Sequence, residues 1–167
     1  MRFWIPTIGL VLLTATVLLS MRRSWLRKKD STADVVGPLP PAPVSLGTAR
    51  TAPAESTYLG STVAGQWLER IPGQGLAERA AGTVQLFDAG LQLVRQGTND
   101  LYIPLDRVEA VRFDRGIAGK VSDPERLVVV TWRLEIAVDS GILLRHPEQA
   151  QELVTALNGA VQKKEAG

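Results

Sequence analysis

Residues 127–161 read LVVVTWRLEIAVDSGILLRHPEQAQELVTALNGAV, and two structural periods meet in them. Leu127-Val128-Val129-Val130-Thr131-Trp132 is the most apolar of the strand-like runs and is expected to be central in its sheet. Leu134–Val138 reads as the next strand, Asp139-Ser140-Gly141 as a turn, and Ile142-Leu143-Leu144 as a further strand. At His146-Pro147-Glu148 the period changes. Ala150, Leu153, Val154, Leu157 and Val161 form one helical stripe, with proline in the first turn, an acid at the positive dipole end, and Lys163 and Lys164 at the other. An apolar stripe that follows a series of strands has to be laid on them.

Upstream, short strands alternate with turns. Val108–Phe113 sets Val108, Ala110 and a ring against Glu109 and Arg112, as a half-buried strand does. Pro104-Leu105-Asp106-Arg107 separates it from Leu101-Tyr102-Ile103, and Gly97 to Asp100 is a turn. Gly82–Phe87 and Leu91–Arg95 flank Asp88-Ala89-Gly90 as a hairpin. Thr57–Ala64 is a weaker first strand. Trp67 to Ala81 reads as irregular around Pro72-Gly73-Gln74-Gly75, and Asp114 to Glu125 as a polar loop. The expected class is therefore mainly β with one C-terminal α-helix, a domain of residues 57–167.

The first 29 residues follow a different logic. Phe3 to Met21 is an uncharged run of 19 residues. As a helix it measures about 28 Å, against a hydrocarbon core of about 30 Å. Trp4 and Trp25 flank it, and Pro6 falls in its first turn. A cleaved leader fits less well: the run is long, and Leu18-Leu19-Ser20-Met21 leads into Arg22 with no small-residue cleavage site. Residues 1–29 are thus expected to be a transmembrane anchor, with the lipid bilayer as partner of residues 3–21. Arg22, Arg23, Trp25, Arg27, Lys28 and Lys29 are the candidate headgroup contacts. One Arg precedes the run and five Lys/Arg follow it, so the positive-inside rule puts the N-terminus outside and the C-terminal domain in the cytoplasm, a single-pass cell-membrane protein. Residues 30–56, with Pro38, Pro40, Pro41, Pro43 and Pro53 among small residues, read as a flexible linker.

The stretch from Pro104 to Phe113, the Leu127–Trp132 strand and the terminal amphipathic helix together resemble bacterial pleckstrin-homology-like (PH-like) domains. The whole chain resembles actinobacterial proteins with one N-terminal span and such a domain, some loosely labelled transporter or export proteins. The resemblance implies a partly open seven-stranded antiparallel barrel closed by the helix, and a scaffold that binds lipids, peptides or proteins. Members that bind phosphoinositides cluster Lys and Arg between the first two strands. Here Arg70 and Arg79 stand beside Glu69 and Glu78, a departure that argues against specific phosphoinositide binding.

Residue types narrow the chemistry. The chain has no cysteine, which removes thiolate nucleophiles, disulfides and cysteine metal sites. Its one histidine, His146, reads as a surface or capping residue, and there is no Gly-x-Ser-x-Gly elbow. Gly116-Ile117-Ala118-Gly119-Lys120 is too short between glycines for a phosphate loop, and Val121 stands where Ser or Thr is needed, so Lys120 reads as a loop charge. From Tyr58 onward 14 Asp/Glu outnumber 12 Lys/Arg, so the domain lacks the basic excess of a nucleic-acid reader. No enzyme activity, cofactor or metal is expected. The reading is a membrane-anchored binding or scaffold module for a protein partner still to be identified. The alternative is an accessory subunit of a transport or envelope-assembly complex, in which the small residues Gly9, Thr14 and Thr16 would face other helices.

Overall fold

A computed structural model describes residues 13–21 and 36–165. The strands are β1 (Ala54–Val63), β2 (Ala80–Leu86), β3 (Gly90–Arg95), β4 (Leu101–Pro104), β5 (Val108–Phe113), β6 (Gly116–Ile117), β7 (Lys120–Val121), β8 (Leu127–Arg133) and β9 (Ala137–Leu144), and the helix α1 (Pro147–Glu165) follows. Seven strands form one antiparallel sheet in the order β4-β3-β2-β1-β9-β8-β5, while β6 and β7 pair only with each other. β4 and β5 stand at opposite edges, yet a single 3-10 turn, Leu105–Arg107, joins them. Four Cα steps reach at most about 15 Å. The sheet therefore has to curl until its two edges approach, and α1 packs beside the seam on β5 and the 3-10 turn. This is the helix-closed, partly open barrel that the family resemblance implies.

Inside, Val128, Val130 and Trp132 of β8 meet Leu86, Leu91 and Ile103 from the other half of the sheet and Leu153 and Leu157 of α1. The helical stripe is where its spacing put it: Ala150, Leu153, Val154 and Leu157 are buried, and Val161 packs at the margin. β8 is not central. It lies next to the edge strand β5, and β1 holds the middle of the sheet. Its continuous apolar run has another cause. Leu127 and Val129 point out of the barrel and are covered there by Ile117 and Ala118 of the β6–β7 hairpin, together with Leu59. The stretch expected as a polar loop, 114–125, thus folds back over the sheet and builds a second, smaller core. Burial of Ile117 contributes about 1.5–3 kcal/mol to holding that excursion in place.

Asp139-Ser140-Gly141 is not a turn but the middle of β9, and the turn falls at residues 134–136, where Leu134 N–H donates to the Ile136 carbonyl at 2.9 Å. Each of the three supposed turn residues has a partner distant in sequence. Asp139 pairs with Arg112, Ser140 with Ser61 and Trp132, and Gly141 leaves room for Ile117, whose Cγ2 lies 2.3 Å from where a Cβ would stand. β5 also departs from simple alternation. A bulge between Val108 and Ala110 turns Val108 and Val111 inward and Ala110 outward.

β1 begins at Ala54, inside the stretch read as linker. Residues 36–53 lie against the domain. Val36 is fully buried, its carbonyl accepts from Glu135 N–H, Leu39 N–H donates to Gln74 Oε1, and Ala49 forms a bridge with Phe87. Residues 30–35 of that stretch lie outside the described residues, as do residues 3–12 of the expected span. Residues 13–21 are helical and exposed, and no described helix is long and apolar enough to cross a membrane.

Candidate functional site

The connection between β1 and β2, residues 64–79, is long but held at many points. Ile71 and Leu76 are completely buried. Leu76 is also the end of a buried hydrogen-bond chain. Trp132 Nε1 lies 2.9 Å from Ser140 Oγ, Ser140 Oγ 2.6 Å from Ser61 Oγ, Ser61 Oγ 2.6 Å from Tyr58 Oη, and Tyr58 Oη 3.0 Å from the Leu76 carbonyl. An indole N–H only donates, a carbonyl only accepts, and each hydroxyl has one proton. The direction is therefore fixed: Trp132 donates to Ser140, Ser140 to Ser61, Ser61 to Tyr58, and Tyr58 to Leu76. Burial pushes the Tyr58 hydroxyl up to about 12, against the opposing pull of Ser61, the Arg95 charge and Ser140.

Arg95, at the end of β3, stacks on the Tyr58 ring with its guanidinium carbon 4.8 Å from the centroid. Its Nε donates to the Asn99 carbonyl and its Nη1 to the Gly75 carbonyl, both at 2.8 Å, while buried Nη2 has no partner among the described residues. One arginine thus ties the β1–β2 connection to the β3–β4 turn. This is a structural clamp, and burial holds its pKa below the ordinary arginine value.

The β6–β7 hairpin is fastened to the same connection from outside. Its two turn residues, Ala118 and Gly119, have φ of +54° and +69°, as a two-residue hairpin turn of the primed kind requires. That turn exposes the Ala118 carbonyl, which accepts from Arg70 Nε at 2.9 Å and also from Nη2. Gly119 N–H donates to the Trp67 carbonyl at 3.2 Å. The Gly116–Lys120 stretch that superficially suggests a phosphate loop is this turn.

Beside the hairpin, Arg112 of β5 reaches across two strands. Its Nη2 is 2.8 Å from Asp139 Oδ2, its Nη1 donates to Thr131 Oγ1 at 2.9 Å, and its Nε meets Asp114 Oδ2 at 3.3 Å. Burial alone would raise the Asp139 carboxyl. The Arg112 and Thr131 hydrogen bonds, the Arg112 charge and the Gly65 N–H outweigh it and hold the group below the usual carboxylate range. With its donors so engaged, Arg112 is a strut. It lines a cleft of about 400 Å³ together with Trp67, Asp114, Arg115 and Val121. Trp67 is 49% exposed, Leu68 66% and Val121 83%. The cleft lining thus combines exposed Trp67 and Val121 with charged Arg112, Asp114, Arg115 and Asp139, a mixture of apolar and charged groups that suits docking.

The sequence-predicted contacts Arg22, Arg23, Trp25, Arg27, Lys28 and Lys29 all lie outside the described residues. His146 is at the surface, 3.8 Å from Glu148. Trp132 is in the core as expected, and Phe113 is only partly buried. Sequence reasoning did not assemble Trp67, Val121, Arg112 and Asp139, because they come from four separate segments with no shared spacing. The one local signal was an exposed-type loop carrying Trp67-Leu68, two large apolar residues with no periodic context.

The architecture is that of a PH-like domain. The family model described as Bacterial PH domain-like matches residues 36–158, and the chain belongs to that family. Among solved structures, a chain of the 8S snRNP assembly intermediate is similar at a TM-score of 0.50 with 10% identity, over 74% of this chain and 89% of that one. The PDZ-RhoGEF DH/PH domains, solved in complex with activated RhoA, give 0.44 at 12% identity, covering 67% of this chain and 29% of that one. Vav1, solved with an allosteric inhibitor, gives 0.46 at 13% identity, over 86% of this chain and 34% of that one. No curated protein matches the chain.

Proposed function

We propose that this protein is a membrane-anchored, non-enzymatic binding module that presents its PH-like domain at the cytoplasmic face of the bilayer. The observation that carries the reading is the order of parts on one chain. An uncharged run, Phe3 to Met21, is stopped by five cations and followed by a domain of the Bacterial PH domain-like family. The preformed cleft between the β1–β2 connection and the β6–β7 hairpin supports a docking role for the domain. Arg22, Arg23, Arg27, Lys28 and Lys29 serve as headgroup contacts beside Trp25, each cation contributing about 1 kcal/mol near an anionic surface.

Two measurements test it. Alkaline carbonate should leave the full chain in the membrane pellet. Protease added to intact cells should spare the C-terminal domain and digest it only after lysis. Release by carbonate overturns the anchor, and digestion from outside overturns the orientation. Co-purification from detergent with the full chain and with residues 1–35 alone tests the binding role, and identical partner sets would refute it.

A further inference from the structure

We propose that the seat of Val36, Gly37 and Leu39 is a peptide-binding site, filled in this chain by its own Val36-Gly37-Pro38-Leu39. A partner peptide with the same order, an aliphatic residue, glycine, any residue and a second aliphatic, takes it over. This rests on the reading of the domain as a binding module and deepens it by naming a ligand class and what controls access; it does not depend on the anchor. β1, β9 and β8 are successive antiparallel neighbours, so the β1–β2 connection and the turn at 134–136 lie at the same end of the barrel. The segment bridges the two. The Val36 carbonyl accepts from Glu135 N–H at 3.3 Å. Gln74 of the β1–β2 connection grips the next residues with both ends of its amide: Nε2 donates to the Gly37 carbonyl, and Oε1 accepts from Leu39 N–H at 2.9 Å.

All three bonds go to the main chain of the segment, so they hold a backbone course and not a sequence. Side chains supply the selectivity. Val36 is completely buried, in the same core as Ile71, Leu76 and Leu134, and Leu39 packs against that core. Between them Gly37 has φ +72°, and a Cβ there would stand 2.7 Å from Glu135 Cγ. A side chain at that position loses about 5–30-fold to the left-handed backbone alone. Gln74 itself stands at φ +57°, a conformation uncommon outside glycine, and such outliers gather where a residue is held for a ligand.

The grip is local. Residues 41–45 are exposed, and Pro40, Pro41 and Pro43 have no N–H to donate. Among the described residues, no hydrogen bond joins 40–45 to the domain. Contact resumes at the opposite end of the barrel, on the β2–β3 turn, where Ala89 N–H donates to the Leu46 carbonyl at 3.0 Å and Arg50 pairs with Asp88 at 2.8 Å. The four seated residues can therefore leave without disturbing the strap at 46–53 or any strand. A ligand joined to its site by a short free span competes at an effective concentration on the order of mM. A free peptide thus binds once the tethered segment is released or outnumbered.

A protease site replacing Pro40–Ser45 lets the folded full chain, in detergent, be cut between the seat and the strap. Captured through a C-terminal tag, the cut domain should retain the N-terminal fragment, and an excess of a synthetic peptide of residues 33–43 should displace it. The Gly37→Val peptide should need at least about tenfold more. Gln74→Gly removes the gripping amide while suiting the left-handed turn, so it should release the fragment on cutting and leave the circular-dichroism melt of the uncut chain cooperative. A fragment that no excess of peptide displaces overturns the site. So does a Gly37→Val peptide that displaces it equally well, a Gln74→Gly chain that keeps it, or a domain that unfolds on cutting. If the fragment leaves unaided, the fluorescent 33–43 peptide titrated into the emptied domain decides: saturable binding that Gln74→Gly abolishes retains the site, and no binding overturns it. The binding role itself is decided separately by the co-purification above, which can succeed through another surface when the peptide fails.

Discussion

Replacing Gly141 by alanine should break the outer core, and the damage should be relieved by shortening the side chain it strikes. A Cβ at Gly141 would stand 2.3 Å from Ile117 Cγ2, 3.2 Å from Cδ1 and 3.3 Å from Cβ. Carbon atoms rest at about 3.5–4.0 Å, so Ile117 has to withdraw by more than about 1 Å. It is 2% exposed and wedged among Leu59, Leu127 and Val129, so the whole hairpin has to lift with it. Overpacking of this kind costs about 1–3 kcal/mol. Ile117→Ala costs about 2 kcal/mol, the low end for such truncations, because a surface hairpin can settle into the gap. In the double variant Cγ2 and Cδ1 are gone, and only Cβ stays close. The combined loss should therefore fall short of the sum by about 1 kcal/mol or more. Any backbone preference of alanine over glycine appears in both arms and cancels in the cycle. Urea unfolding of the four proteins in detergent, followed by circular dichroism, measures the coupling. Additivity within about 0.5 kcal/mol would refute the packing argument.

Three further outcomes follow from the buried polar groups. Ser140→Ala strands the Trp132 indole N–H and breaks the link to Ser61, and should lower stability by about 1–3 kcal/mol in thermal melts; a loss below about 0.5 kcal/mol would contradict the chain of donors. With Tyr58 raised to about 12 in the folded state against 10.0 unfolded, the folded protein keeps its proton while the unfolded chain loses it. Stability should therefore be full below pH 10 and fall by about 2–3 kcal/mol between pH 10 and pH 12, and Tyr58→Phe should flatten that slope in urea titrations. Asp139 runs the other way: its depressed carboxyl contributes stability above the unfolded carboxylate range that is lost as pH falls through the folded pKa. Asp139→Asn should cost about 1–3 kcal/mol at pH 7 and weaken the acid dependence, and an unchanged acid limb would sink the assignment.

Periodicity carried most of the fold. Turn residues bracketed β2, β3 and β4 to within about two residues, alternation marked β5, and the apolar stripe after His146-Pro147-Glu148 marked α1. Local composition failed where a long-range contact overruled it. Asp139-Ser140-Gly141 has the chemistry of a turn, and its reassignment depends on Arg112, Ser61 and Ile117, none of which is nearby in sequence. The apolar run from Leu127 suggested a central strand, but its outer cover comes from a hairpin inside an apparently polar loop, not from a central place in the sheet. The cleft was not legible because its walls belong to segments that meet only once the Ala118 carbonyl finds Arg70.

The middle strand of the sheet takes its second neighbour from nearly the end of the domain. Ser61 waits for Ser140, 79 residues later. At about 5–20 residues per second on the ribosome, that interval is roughly 4–16 s. Throughout it the nascent domain has one side of β1 without its mate, and only the β1–β4 half can begin to associate. A message cut short before Leu144 would leave the two halves unsewn, however well the first half had started.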